Sequence, residues 1–200
     1  MAIGIIYYST YGSTFDLAKS IADGIREGGG EPALRRVEEL MPEDRMDDNA
    51  KAARDAQSDV QLASVDELAE FDGIVFGAPT RFGNRAAQMS QFLDQTGGLW
   101  QSGALAGKPA GFFTGAATPH GGHESTILTM STYAYHQGMV IVPAGYTLAE
   151  VSSTTAGGGP YGPTHQTPPD GSKTELTAEE AAIARGYGKK FAEITAKLSA

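Results

Sequence analysis

Four short runs of the chain are apolar almost without interruption, at residues 3–8, 71–77, 109–114 and 139–142. Continuous apolarity, as opposed to alternation, predicts strands covered on both faces. A weaker run at 32–37 predicts an additional edge strand. Between the runs the apolar period lengthens to three or four. Phe15, Ala18, Ile21, Ala22 and Ile25 form one stripe that stops at Gly28, Gly29 and Gly30, which reads as a helix with its stop signal. Residues 65–70 predict a short helix. Met89, Phe92 and Leu93 mark another helical face ahead of Gly97 and Gly98, and residues 127–135 predict a further helix despite their β-branched side chains. The clearest stripe is Ile183, Tyr187, Phe191, Ile194 and Leu198, preceded by Thr177 and Glu180 at capping-box spacing.

Alternating strands and helices predict an α/β fold, a doubly wound parallel sheet with helices on both faces. Such sheets bind ligands beyond the carboxyl ends of their strands, where the strand order reverses. Two segments break the alternation. Residues 38–64 are charged and Ala-rich and read as a solvated connection with a helical turn at most. Residues 147–173 are rich in Gly, Pro, Ser and Thr, and a loop of that length is commonly functional or interfacial. With 200 residues, the expectation is one domain over 1–200 carrying this Gly/Pro-rich insertion.

Composition narrows the chemistry. The chain has no cysteine, so disulfides, thiolate nucleophiles and zinc–sulfur sites are excluded, and redox work requires a bound cofactor. A formal charge of -9 argues against nucleic acid as a partner, since that affinity rests on Lys and Arg. No stretch approaches the roughly 20 apolar residues of a membrane span, so no membrane insertion is expected. The N-terminus opens on a strand pattern without a basic leader, which gives the expectation of a cytoplasmic protein.

Three loops at predicted strand ends carry candidate chemistry. Ser9, Thr10, Tyr11, Gly12, Ser13 and Thr14 join the first strand to the first helix. Hydroxyls, a glycine and a helix N-terminus suit a terminal phosphate, or equally a plain Ser/Thr-rich cap. The loop lacks the lysine of a P-loop and the G-x-G-x-x-G of a dinucleotide site. Pro79, Thr80, Arg81, Phe82, Gly83 and Asn84 follow the third strand, offering a cation, a flat face and an amide to a planar ring, or an ordinary strand-to-helix turn. Gly115, Ala116, Ala117, Thr118, Pro119 and His120 follow the fourth, where glycine permits close backbone approach to a ligand. His120, His123 and Glu124 match no metalloprotease motif, and no metal is expected. Trp100 suits stacking on a substrate or plain packing, and His136 suits a helix-end cap.

The first two loops, the run Phe92-Leu93-Asp94-Gln95-Thr96-Gly97-Gly98-Leu99-Trp100 and the run His136-Gln137-Gly138-Met139-Val140-Ile141-Val142-Pro143 resemble the WrbA family over essentially the whole chain. These are flavodoxin-like, FMN-dependent NAD(P)H:quinone oxidoreductases. The resemblance implies a five-stranded parallel sheet, a homotetramer, and FMN-mediated two-electron, ping-pong reduction of quinones by NADH or NADPH, with hydride passing through the flavin N5. It assigns the phosphate to the Ser9 to Thr14 loop. The flavin ring falls to Thr80, Arg81 and Phe82, to the Gly115 to His120 loop and to His136. The nicotinamide falls to Tyr11 and the quinone to Trp100. No residue is assigned as acid or base. Two departures stand out: Ala116, Ala117, Pro119 and His120 replace a loop usually richer in Ser and Thr, and Gln137 replaces a second histidine. The competing readings are a one-electron flavodoxin, consistent with the acidic charge, and a repressor- or DNA-binding regulator, which that charge opposes.

Overall fold

The computed structural model describes residues 1–168 and 175–199. In chain order the strands are β1 (Ala2–Tyr7), β2 (Glu31–Arg36), β3 (Gly73–Gly77), β4 (Thr80–Arg81), β5 (Asn84–Arg85), β6 (Pro109–Ala116), β7 (Val140–Ile141) and β8 (Thr164–Gln166). The α-helices are α1 (Ser13–Glu27), α2 (Asp48–Asp55), α3 (Ala87–Asp94), α4 (Gly97–Ser102), α5 (His123–Gln137), α6 (Glu150–Ser153) and α7 (Ala178–Leu198).

The sheet order is β2-β1-β3-β6-β7, and each of these pairings is parallel. This is the doubly wound architecture the apolar runs predict. Successive side chains of a strand leave opposite faces of the sheet. Ile3, Ile5 and Tyr7 of β1, with Val75 and Phe113, therefore pack under α1 and α7. Ile6, Ile74, Phe76 and Phe112 pack under α3 and α5 on the other face. Burying each large aliphatic side chain contributes about 1.5–3 kcal/mol, so both faces hold the sheet between helices. Helices α1 and α7 touch through backbone. A Cβ on Gly24 would meet the Arg185 carbonyl oxygen at 1.8 Å, and one on Gly188 would meet that of Ile21 at 2.1 Å.

The structure adds detail that periodicity did not carry. Residues 66–70 form a 3₁₀ turn, and the connection at 38–64 holds the two-turn helix α2, capped by Asp47 accepting from the Ala50 amide at 2.8 Å. Strands β4 and β5 make a hairpin whose two central residues, Phe82 and Gly83, both have positive φ (55° and 79°). That pair of angles matches the twist of a tight hairpin, but it is strained for phenylalanine. The Gly/Pro-rich segment is structured where described. It contributes α6 and then β8, which pairs with the far half of β6 (Thr114↔Thr164, Gly115↔His165, Ala116↔Gln166). One edge of β6 is thus shared end to end by β7 and β8, and the sheet gains a sixth strand. The remainder of that segment, 169–173, lies outside the described residues.

Helix α7 begins with the predicted capping box. Its Glu180 also reaches inward. One carboxylate oxygen accepts from the Gly157 and Gln166 amides (2.8 and 3.0 Å), the other from His165 Nδ1 and the Thr177 amide (2.8 and 2.9 Å). Burial pushes its pKa up, but donation from His165 and the amides of Gln166 and Thr177 outweighs burial and holds it at about 2. A buried carboxylate thus staples the start of α7 to β8.

Candidate active site

Because β1, β3 and β6 are neighbours, the loops leaving their carboxyl ends meet in one place. Their roots are stitched together: the Tyr8 amide donates to the Gly77 carbonyl (2.9 Å), and the Thr114 hydroxyl to the Ala78 carbonyl (2.7 Å). Between the loops opens a cleft of about 190 Å³. Its walls are Thr10, Tyr11, Ser13 and Thr14 from the first loop, Pro79, Thr80 and Arg81 from the second, and Gly115, Ala116 and Ala117 from the third. Thr167 and Pro168, just after β8, close it. Sequence reasoning missed these two; their long Gly/Pro-rich segment was the available signal. The Thr167 amide donates to the Ala116 carbonyl at 2.9 Å, which fixes that wall.

The first loop is built for an anion. Gly12 precedes α1 with φ 91° and has no side chain with which to cap the helix. The first-turn amides of Ser13 and Thr14 therefore have no intrahelical acceptor, and the helix dipole faces the cleft with its positive end. The Ser9 hydroxyl oxygen accepts from the amides of Gly12 (3.1 Å) and Phe15 (3.3 Å), folding the loop while its own proton stays available. Thr14 decides the character of the site: its hydroxyl is buried and finds no partner among the described residues. An orphaned buried hydroxyl is costly, so its presence beside free amides points to an acceptor supplied from outside. Asp16, in the same turn, is charge-paired with Lys19 at 2.8 Å.

The loop hydroxyls are not equivalent. Thr10 Oγ1 accepts from an Arg81 terminal nitrogen (2.9 Å) and gives its proton to the Tyr8 hydroxyl (3.1 Å), so it has no proton left for a ligand. The Tyr11 hydroxyl donates to Asp47 (3.0 Å), tying the first loop to α2. Thr80 Oγ1 accepts from the Gly83 amide (3.2 Å) and from the Thr126 hydroxyl on α5 (2.8 Å), which sets the hairpin against the start of that helix. Phe82 is fully exposed, standing away from the cleft on its strained turn. Thr118, Pro119 and His120 are also exposed, beyond the cleft wall.

Matched to the chain are a sequence model of the NADPH-dependent FMN reductase family, over residues 1–153, and close relatives of full length. The chain is 47% identical to an NAD(P)H dehydrogenase (quinone) of Geobacter sulfurreducens, covering 100% of both chains, and 48% identical to that of Geobacter metallireducens, covering 99% of both. The chain belongs to the NADPH-dependent FMN reductase family. Among solved structures it resembles a WrbA-like flavodoxin from Agrobacterium tumefaciens (TM-score 0.67, 23% identity, 98% of each chain). It also resembles flavodoxin 1 from Bacillus cereus (TM-score 0.60, 18% identity, covering 96% of this chain and 97% of that one). The resemblance to WrbA-type proteins and the flavodoxin-like fold both hold.

Two further expected site residues of this FMN reductase-family chain lie farther off still. Helix α5 begins against the hairpin, where Gly122 abuts Gly83 and Thr80. His136 sits 13 residues along it, about 20 Å away at 1.5 Å per residue. Trp100 lies at that far end too: α4 follows Thr96, whose hydroxyl accepts from Tyr133 and Gln137 of α5, both at 3.1 Å. Both residues are exposed, Trp100 by 60%. Gln137, in contrast, is buried in the α5 contact with Thr96.

Proposed function

We propose that the chain is an FMN-dependent NAD(P)H:quinone oxidoreductase whose cofactor phosphate is held by the first loop. The observation that carries this reading is the unpartnered, buried Thr14 hydroxyl beside uncapped first-turn amides at a strand-end cleft. The donor set fits a phosphate dianion: amides, hydroxyls from Ser9, Ser13 and Thr14, and a helix dipole, without a bulky cation in the loop. The names of the Geobacter relatives support the same activity. Bound FMN supplies a carrier for two electrons between a reduced nicotinamide and a quinone. The protein's share is placement and electrostatics. Thr80 and Arg81 on one side and the Gly115, Ala116 and Ala117 backbone on the other border the space for the ring, and the Arg81 guanidinium faces charge that accumulates there. Tyr11, at the rim, is positioned for the nicotinamide.

Trp100 and His136 cannot reach the cleft of their own copy. We assign them to the cleft of a neighbouring copy in a homo-oligomer, a tetramer by family resemblance, where Trp100 stacks on the quinone and His136 meets the flavin. Exposed Tyr135 and Val140 near the same end, with exposed Leu128 farther back along α5, offer the apolar surface such an assembly buries. Among the described residues no helix is long and apolar enough to cross a membrane, and a cytoplasmic site of action fits the absence of cysteine. The test is an anaerobic absorption series on the purified protein: FMN, then NADH or NADPH, then benzoquinone. Bound flavin should bleach with the nicotinamide and recover with the quinone. Failure to bleach leaves a flavodoxin-type carrier and ends the oxidoreductase reading; failure to bind FMN ends both.

A further inference from the structure

Behind the cleft runs a chain of hydrogen bonds that ends on a carboxylate with no part in the reaction as described. Glu39 lies just past β2. One carboxylate oxygen accepts from the Tyr8 hydroxyl at 2.6 Å. The other accepts from Gln88 Nε2 (2.5 Å) and from the amides of Leu40 and Met41 (2.9 Å each). Burial pushes the Glu39 carboxyl up, while donation from Tyr8, the Met41 amide and Gln88 holds it below the ordinary carboxylate range. Glu39 is therefore an anion and can only accept.

That restriction propagates. Tyr8 must give its single proton to Glu39, so its oxygen is left with lone pairs, which receive Thr10 (3.1 Å) and Gln88 (2.9 Å). Thr10, having spent its proton on Tyr8, presents lone pairs in turn, and an Arg81 terminal nitrogen fills them at 2.9 Å. The other terminal nitrogen of Arg81 donates to the Thr80 carbonyl at 2.9 Å. A guanidinium borne on an exposed hairpin is thus pinned across the border of the first two loops. We propose that Glu39 is a positioning residue: acting through Tyr8 and Thr10, it fixes where Arg81 stands and which way the cleft hydroxyls point. Replacing Glu39 with a neutral amide reverses the logic. The side-chain amide of Glu39→Gln is able to donate to Tyr8, Tyr8 then turns its proton to Thr10, and Thr10 is free to turn its own proton away from Tyr8. With its own proton no longer committed to Tyr8, Thr10 can turn it toward Arg81 or away, so the lone pair that received the guanidinium is no longer held in place.

This inference rests on the cleft being the FMN site, and the experiment separates the two. In the full-length protein, FMN dissociation constants and quinone kcat/KM are measured for Glu39→Gln, Arg81→Met and the double variant, with Glu38→Gln as an exposed neighbouring control. Glu39→Gln and Arg81→Met should each cost roughly tenfold in at least one of these quantities, the scale of a lost charge-assisted hydrogen bond, and the double variant should be no worse than Arg81→Met alone. Tyr8→Phe, which breaks the relay while leaving the carboxylate in place, should reproduce the Glu39→Gln loss. In the apo protein, the Arg81 guanidinium resonances should be slowly exchanging in the wild type and broadened in Glu39→Gln. Losses that multiply in the double variant, or a Glu39→Gln variant with lowered thermal stability but unchanged affinity and kcat/KM, would overturn the positioning role. A wild-type chain that binds no FMN at all would instead remove the reading on which the role stands.

Discussion

The Thr14 hydroxyl is a penalty the protein carries without its ligand, because a buried polar group without a partner costs about 1–3 kcal/mol. Thr14→Val keeps the shape and removes that group. Melting of the apo protein should therefore be unchanged or slightly higher, while FMN affinity falls by about 1–2 kcal/mol for the lost hydrogen bond to phosphate. Calorimetric titration and a thermal melt check both halves, and intact FMN affinity in Thr14→Val would move the phosphate elsewhere. Thr10 stands four positions away and plays another part, since its proton is already engaged by Tyr8. At this scale the sequence disclosed the hydroxyl-rich loop after the first strand but not which hydroxyl was free. Tyr8 is local, whereas Arg81 and Glu39 are remote in sequence and only the fold brings them to the loop.

Among the elements, the joint between α7 and β8 is the one that periodicity concealed. Thr177 and Glu180 read as a capping box and form one, yet the same carboxylate also binds His165 and the amides of Gly157 and Gln166. The strand they secure has only three residues inside a Gly/Pro-rich stretch, too short and too interrupted to leave an apolar run. The longer strands of the main sheet, buried on both faces, were legible for the opposite reason. The pKa of Glu180 is depressed to about 2 in the fold, so its contribution is fully present above the ordinary glutamate range and is lost as pH falls from about 4.5 through 2. Denaturant unfolding across that window should show the wild type losing on the order of 3 kcal/mol from this group. Glu180→Gln should be less stable at neutral pH and flatter below pH 4.5; parallel curves for the two proteins would show that the staple carries no such linkage.

For the whole molecule, the length of α5 separates functions that family resemblance places together. A chain-order reading gave the doubly wound sheet and the three converging loops, but sequence adjacency says nothing about which copy a residue serves, and Trp100 and His136 project from the far end. Equal mixing of Trp100→Ala with a variant disabled in the first loop should restore about a quarter of wild-type quinone reductase activity, as expected when each cleft draws on two copies of a symmetric assembly. Turnover that stays at the level of the separate variants would place Trp100 in the service of its own chain or of packing. The contact between α1 and α7 carries one more implication. The helix that presents Ser13 and Thr14 lies backbone to backbone against residues 185–189, through Gly24 and Gly188. A side chain at either glycine would meet the facing backbone and wedge α1 away from α7, displacing the first turn of α1 where the proposed phosphate site lies. Gly188→Ala would therefore weaken flavin binding through the seat of α1 alone, with no contact to the ligand removed.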